Sequence, residues 1–427
     1  MTNASLRPLH QRNFALVWSA ALVSNIGSWM QTVAVGVFVT DVTHQAKWTG
    51  LVAAAAFVPI GFLSPVGGAM ADRVDRRRWM LLTTVGETIF AALLALLVGL
   101  HVAGPGGVTV LVFLGGCMTA VGIPAYQAML PDLVAKDDLL AAISLTSAQF
   151  NFGRVVGPAL AGVVIALGSY TLAFALNAAS FFAVIVALLF VRLPPRHADG
   201  DTSGLWARIK QGARTARREP GCRMAIFLIG VTAFLLSPFI ALVPAVALKL
   251  FDNEKTGTAI LITAQGIGAV AGALALAPLA ARYGRRRVLV VNLFVLPGLL
   301  ALYAATPTLW LAAVALFAVG AGYIGVLSGL MTVVQLRAPN ATRGRVLSLF
   351  MVSLGTVYPI GAVVQGALGD QIGLRATTIG CAAVFFVLFA ALVLRAPHLV
   401  AALDDPPAAD GPITPPDETS TAAAPVA

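Results

Sequence analysis

Two charged residues stand inside long apolar stretches of the 427-residue sequence: Glu87 and Arg154. A charge at the centre of a bilayer costs at least ~2.5 kcal/mol unless it is paired or hydrated, so each marks a function or a partner. Glu87 lies roughly 12 Å along its run at 1.5 Å per residue, and Arg154 lies nearer the centre of its own. A carboxyl so placed can carry a proton, or it can neutralise Arg154 or a backbone group. The residues alone leave both readings open. Asp41, at the end of the first apolar run, is a third candidate for proton coupling, or simply a helix-end residue in water. All five histidines fall in loops or tails. The three cysteines, Cys117, Cys222 and Cys381, have no metal-ligand spacing and form no disulfide framework. No metal and no cofactor is expected.

The first apolar run also carries a polar stripe. Ser24, Asn25, Ser28, Gln31 and Thr32 fall within about 120° of arc on a helix, opposite Val23, Ile26, Met30, Val33 and Val37. In a membrane helix such a stripe must face protein or a water-filled cavity. Asn25, Ser28, Gln31 and Thr32 are therefore expected to line a cavity. Asn151 and Arg154 join them from a similar stripe in the fifth run, with Ser144 and Ser147. Some of these side chains will bridge helices instead. The seventh run offers only Thr232 and Ser237, with Pro238 and Pro244 as bends. A cavity polar on one side and apolar on the other suits an amphipathic organic solute better than a sugar or an inorganic ion.

Only helices can position these residues. The chain is 59% apolar and 11% charged, with mean hydropathy +0.88. Too few polar residues remain to cover a soluble surface. Twelve apolar runs reach the length that spans a bilayer, about 20 helical residues: 14–40, 48–69, 79–100, 106–130, 139–167, 170–191, 222–248, 256–280, 288–305, 307–334, 345–368 and 375–394. The alternation of a membrane β-barrel is absent, so the expected fold class is an all-α integral membrane protein. The net charge of +10 reflects insertion rather than nucleic acid. With a cytoplasmic N-terminus, the 28 Lys and Arg lie on the cytoplasmic side except for Lys47, Lys249, Lys255 and Arg375 outside and Arg154 within a span. Basic residues stay inside during insertion. A multi-pass protein of the inner (cytoplasmic) membrane with both termini cytoplasmic is the expectation.

Residues 1–192 and 221–396 are expected to form two six-helix halves. In the linker between them, 193–220, Leu205, Trp206, Ile209, Ala213 and Ala216 share one helical face opposite Arg208, Lys210, Arg214, Arg217 and Arg218. That pattern fits a helix in the membrane interface, held by Trp206 and anionic lipid, or a solvated basic segment. Residues 397–427, rich in Ala, Pro, Asp and Thr, are expected to be a disordered cytoplasmic tail. An internal repeat supports the division. Gly68-Ala-Met-Ala-Asp72-Arg73-Val-Asp75-Arg76-Arg77-Arg78, between runs two and three, is echoed by Ala277-Pro-Leu-Ala-Ala281-Arg282-Tyr-Gly284-Arg285-Arg286-Arg287 between runs eight and nine. Gly157 and Gly162 of the fifth run are echoed by Gly361 and Gly366 of the eleventh. Parallel repeats place a binding site near the midplane, at their interface.

The first loop resembles the signature of the major facilitator superfamily, Gly-x-x-x-Asp-Arg-x-Gly-Arg-Arg, with Gly68, Asp72, Arg73, Arg76 and Arg77 in place. Asp75 stands where the family has glycine; a left-handed turn is expected there, which Asp tolerates better than most residues. The second copy keeps Arg282, Gly284, Arg285 and Arg286 but has Ala281 for the aspartate. The resemblance implies two parallel six-helix halves, alternating access, and a cytoplasmic latch between the halves. In it Asp72 would face a helix N-terminus, and the arginines would hold carboxylates such as Asp132.

In the fifth run, Gly153-Arg154-Val-Val-Gly157-Pro158-Ala-Leu-Ala161-Gly162 resembles the Gly-x-x-x-Gly-Pro-x-x-Gly-Gly element of drug:proton antiporters, with Ala161 for one glycine. Small residues there allow close helix packing, and the proline bends the helix. The stretch Ser24-Asn25-Ile-Gly27-Ser28-Trp29-Met30-Gln31 is similar to the branch containing the enterobactin and macrolide exporters. So is Pro131-Asp132-Leu133-Val134 followed by Asp138-Leu139-Leu140. Export of a drug, siderophore or secondary metabolite by proton antiport is what these resemblances imply. The fourth run lacks the arginine that better-known antiporters carry there, so any proton relay must be built elsewhere.

Other classes find less support. A primary pump needs a Gly-x-x-x-x-Gly-Lys-Ser/Thr loop, which the chain lacks. An enzyme in the membrane needs clustered His, Asp or Glu in its spans, and only Glu87 is present. Two alternatives stand beside the exporter: a proton-coupled uptake symporter of a small organic solute, and a non-transporting membrane receptor. The expected partners are a small-molecule substrate, protons and the lipid bilayer, with no nucleic acid and a monomeric chain.

Overall fold

A computed structural model describes residues 4–167, 169–191, 213–339 and 342–404. Among them are twelve helical segments long and apolar enough to cross a membrane. Numbered in chain order, the spans are Arg12–Thr43, Ala46–Arg73, Arg76–Gly99, Pro105–Met129, Leu139–Ala166, Tyr170–Phe190, Pro220–Phe251, Glu254–Tyr283, Arg285–Ala305, Leu309–Arg337, Arg343–Ile372 and Leu374–Arg395. Each coincides with one of the twelve apolar runs. Lipid offers no hydrogen bonds, so the backbone must satisfy itself inside each helix.

The seventh span is the exception, broken into Pro220–Leu235 and Phe239–Phe251 at Pro238. The break frees carbonyls that a continuous helix would have bonded. Gln365 of the eleventh span takes up two of them, its amide donating to Phe234 O at 2.8 Å and Leu235 O at 3.1 Å.

The two basic loops turn by different devices. Asp75 does not adopt the left-handed turn expected of it: its φ is −55° and its Oδ1 accepts from the Arg78 backbone N–H at 2.8 Å. It therefore caps the third span, satisfying one of the orphan donors at a helix start. In the second loop Gly284 sits at φ +82°, a conformation open to glycine and costly for other residues.

Spans one to six pack among themselves, chiefly two against four, three against six, one against five and one against six. Spans seven to twelve repeat the scheme: eight against ten, nine against twelve, seven against eleven and seven against twelve. The repetition extends to individual contacts. Gly67 lies against the backbone of Val121 where spans two and four meet, and Gly272 lies against Ala321 where eight and ten meet. Such small residues let helices approach where lipid supplies no hydrophobic drive.

The halves join through two equivalent seams, span two on span eleven and span five on span eight. Close approaches at Gly50–Ala362, Gly366–Ala46 and Gly162–Ala259 all lie toward the face opposite the chain termini. Gly61 meets Thr356, and Gly266 meets Val155, near mid-depth.

Of the linker, Leu205, Trp206, Arg208, Ile209 and Lys210 lie outside the described residues. Residues 213–218 are helical, with Ala216 buried and Arg217 and Arg218 exposed. At the other end the packed chain runs past the expected boundary at 396. Pro397–Ala401 is a short helix whose Val400, together with Leu403, is buried against the second half. Residues 405–427 lie outside the described set.

Candidate functional site

The arginines of the first loop reach backward into their own half. Arg76 donates to Ala128 O at 2.6 Å and to Asp132 Oδ2 at 2.7 Å, at the end of span four. Arg77 donates to Leu188 O at 2.6 Å and Leu189 O at 2.9 Å, in the last turn of span six. Guanidinium groups are suited to such ends because the final carbonyls lack intrahelical donors and carry the negative end of the helix dipole. Asp132 is thus held as the sequence led us to expect, but these four bonds tie spans three, four and six together rather than one half to the other. Arg73 is exposed, Gly68 faces Pro124, and the side chain of Asp72 lies outside the described set.

In the second copy, Arg282 lies over the ring of Tyr283 at 5.3 Å, and Arg286 approaches Asp404 Oδ2 at 3.5 Å. Arg285 is also engaged. A neighbouring pair completes this end of the second half. Arg337 donates to Glu219 Oε1 at 2.6 Å and to Asp404 O at 3.0 Å, while Glu219 caps the seventh span through the Cys222 backbone N–H at 2.5 Å. Burial pushes the Glu219 carboxyl up, but the Cys222 N–H and the Arg337 guanidinium outweigh it and hold the group below its usual range.

At the opposite face, Asp370 of span eleven accepts from the backbone N–H groups of Ala46 at 2.8 Å and Lys47 at 2.9 Å, at the start of span two. Lys249 of span seven donates to the same carboxylate at 2.6 Å. A carboxylate of one half therefore sits on the helix N-terminus of the other.

The glycine motif of span five is a packing surface with two sides. Gly153 lies against Asn25, and Gly157 against Trp29 and the Ile26 carbonyl, all in span one. Gly162 meets Ala259 of span eight, across the divide, and Pro158 is buried. Arg154 projects from the same stretch. Its guanidinium stands 5.8 Å from the ring centroid of Trp29, and its electrostatic neighbours are Tyr323 of span ten and Tyr358 of span eleven.

Glu87 does not partner Arg154. It accepts from the Thr119 hydroxyl at 2.5 Å, at the seam of spans three and four. Asp41 accepts from the Tyr170 hydroxyl at 2.9 Å, joining spans one and six.

The polar stripe of span one divides between neighbours. Gln31, half-buried, bridges to span six: its Oε1 accepts from the amide of the fully buried Asn177 at 2.8 Å. Ser28 is half-buried and Thr32 exposed, the Thr32 hydroxyl donating to Ser28 O at 2.8 Å. The side chain of Asn151 lies outside the described set. The second half is also more polar at the divide than its seventh run suggested. Ser237 and Tyr323 share a hydroxyl–hydroxyl hydrogen bond at 3.1 Å. Tyr323, Tyr358, Gln365 and Asp370 had not been singled out from the sequence.

Twelve spans in two parallel six-helix halves, joined along equivalent seams and closed by basic loops at corresponding places, define a transporter of the major facilitator superfamily. Solved structures of that fold superimpose on the chain. A bacterial homologue of the human lysosomal transporter Spinster matches with TM-score 0.72 at 15% identity, covering 93% of this chain and 99% of its own. The nucleoside transporter NupG matches with TM-score 0.71 at 16% identity, covering 91% and 100%. The chain belongs to the transmembrane secretion effector family of these transporters, whose profile matches residues 3–415. It is 29% identical to the multidrug efflux pump Tap of Mycolicibacterium fortuitum, over 88% of this chain and 93% of Tap. It is 29% identical to the enterobactin exporter EntS of Shigella boydii (86% and 88%) and 27% identical to the staphyloferrin A transporter of Staphylococcus aureus (84% and 90%). It is a multi-pass membrane transporter and not an enzyme.

Proposed function

We propose that this protein exports an amphipathic organic solute, a drug, siderophore or secondary metabolite, by alternating access driven by inward proton flow. It works as a monomer in the cytoplasmic membrane, with both termini inside. The observation that carries the proposal is the clasp of Asp370 on the start of span two, together with the seams at Gly50, Gly162 and Gly366. With the termini cytoplasmic, these contacts close the external side, and the solute enters the divide from within. The likeness to Tap and EntS supports export as the direction. Glu87 is the proposed proton carrier, and its bond to Thr119 links spans three and four, so that a change of protonation there acts on packing within the first half. The test is flux in proteoliposomes with an imposed pH gradient, screened over amphipathic drugs and siderophores. Saturable, gradient-dependent movement opposite to the protons is expected. Movement in the same direction as the protons points to a symporter, and saturable binding without flux to a receptor.

A further inference from the structure

Arg154 is the only charged residue in the 28-residue helix Leu139–Ala166, and it lies near its middle. A guanidinium at that depth is stable only with a partner or with water. The carboxylates that could serve are committed elsewhere: Glu87 to Thr119, Asp41 to Tyr170 and Asp370 to Lys249. What faces Arg154 instead is aromatic. Trp29 belongs to its own half; Tyr323 and Tyr358, buried in the other half, act on it electrostatically. Further rings brace these edge-to-face, Phe150 against Trp29 at 5.8 Å and Phe57 against Tyr358 at 5.6 Å. Arg154 and Trp29 are half-buried and Phe150 is exposed, whereas Tyr323 and Tyr358 are buried.

We infer that Arg154 is the counter-charge for an anionic group on the transported solute, a carboxylate or phenolate borne on an aromatic body. The guanidinium presents its donors in a planar fork that matches an oxyanion. Trp29 and Phe150 supply an apolar clamp for the rest of the molecule. Arg154 and Val155 lie against Gly266 of span eight, in the other half, so the anion lies where a carrier must release its grip when the halves exchange. Cationic solutes are repelled from it, and neutral ones gain only the clamp. The inference rests on the export reading above, because it puts the solute at the divide between the halves.

The test uses the full-length protein in lipid nanodiscs and three probes of one shape: 2-naphthoate, 2-naphthamide and 2-naphthylmethylammonium. Equilibrium binding should favour the anion over the amide by about tenfold or more, the scale of one hydrogen-bonded charge. The cation should bind most weakly. Arg154→Gln should erase the preference, and Arg154→Lys should retain part of it. The comparison within the wild-type protein stands even if a variant fails to fold. Absence of 2-naphthoate binding, equal binding of the three probes, or a preference that survives in folded Arg154→Gln overturns the inference. Gradient-driven flux of drugs is measured separately in proteoliposomes. Flux without anion preference removes this inference and leaves export standing; anion preference without flux does the reverse.

Discussion

The carboxylate of Asp370 and the ammonium of Lys249 meet at 2.6 Å, and the same carboxylate accepts the first backbone N–H groups of span two. Lys249 and Asp370 belong to one half, and Ala46 and Lys47 to the other. The ion pair thus aims an acceptor at a helix N-terminus, where its negative charge is favoured. Asp370→Asn keeps the shape and removes the charge. It should loosen the external closure, raising the labelling rate of Ala362→Cys by an impermeant maleimide about tenfold in a protein otherwise free of cysteine. Ala362 is fully buried against Gly50 in the closed seam, so unchanged labelling contradicts the clasp.

The basic loop makes a prediction about stability. Arg76 binds a carbonyl and a carboxylate, whereas Arg73, three residues earlier, is exposed. Arg76→Gln should lower the stability of the purified protein by about 1.5–3 kcal/mol, as for hydrogen bonds to charged groups. Arg73→Gln should leave it nearly unchanged. Thermal unfolding of the two variants side by side is the measurement, and equal losses would refute the assignment.

Glu219 supplies a pH dependence. Its carboxyl titrates below its ordinary value of 4.5, since burial is outweighed by the Cys222 N–H and Arg337. A carboxyl depressed in the folded state contributes stability that is complete above its unfolded value and lost as pH falls through the folded one. Unfolding temperature should therefore decline as pH drops below about 4.5, and Glu219→Gln should flatten that part of the profile. A profile identical to wild type removes the contribution.

How much of this was legible in the sequence follows from what each signal depends on. The spans were legible because crossing a bilayer imposes a length of apolar chain that no other requirement imitates. Arg76 could be matched to Asp132 through the resemblance of the first loop to the superfamily signature, which implies arginines holding neighbouring carboxylates. The clasp was not legible: a lone aspartate at a span end, such as Asp370, reads the same whether it faces water or another helix. The bond of Gln31 to Asn177 was not legible because a polar stripe must face protein or water, and periodicity does not tell which. Tyr323 and Tyr358 escaped notice because a tyrosine in an apolar run counts as packing until a charge is found opposite. Asp75 was read as a turn residue, although an Asp just before a helix is also a preferred cap.

Glu87 separates coupling from transport. Glu87→Gln retains an acceptor for Thr119 but cannot exchange a proton. Solute binding and counterflow should persist while accumulation driven by a pH gradient is lost. A well-folded variant that still concentrates solute in response to the gradient excludes Glu87 as the carrier and makes Asp41 the next carboxylate to test.

The central claim is export by alternating access against inward proton flow, and one measurement bears on it most directly. Purified protein is reconstituted with its terminal face inside the vesicles, and solute efflux and internal pH are recorded together as an inward proton gradient is applied. Saturable efflux accompanied by internal acidification, neither occurring without the protein, is the predicted result. Efflux indifferent to the gradient, or solute entering with the protons, would contradict it.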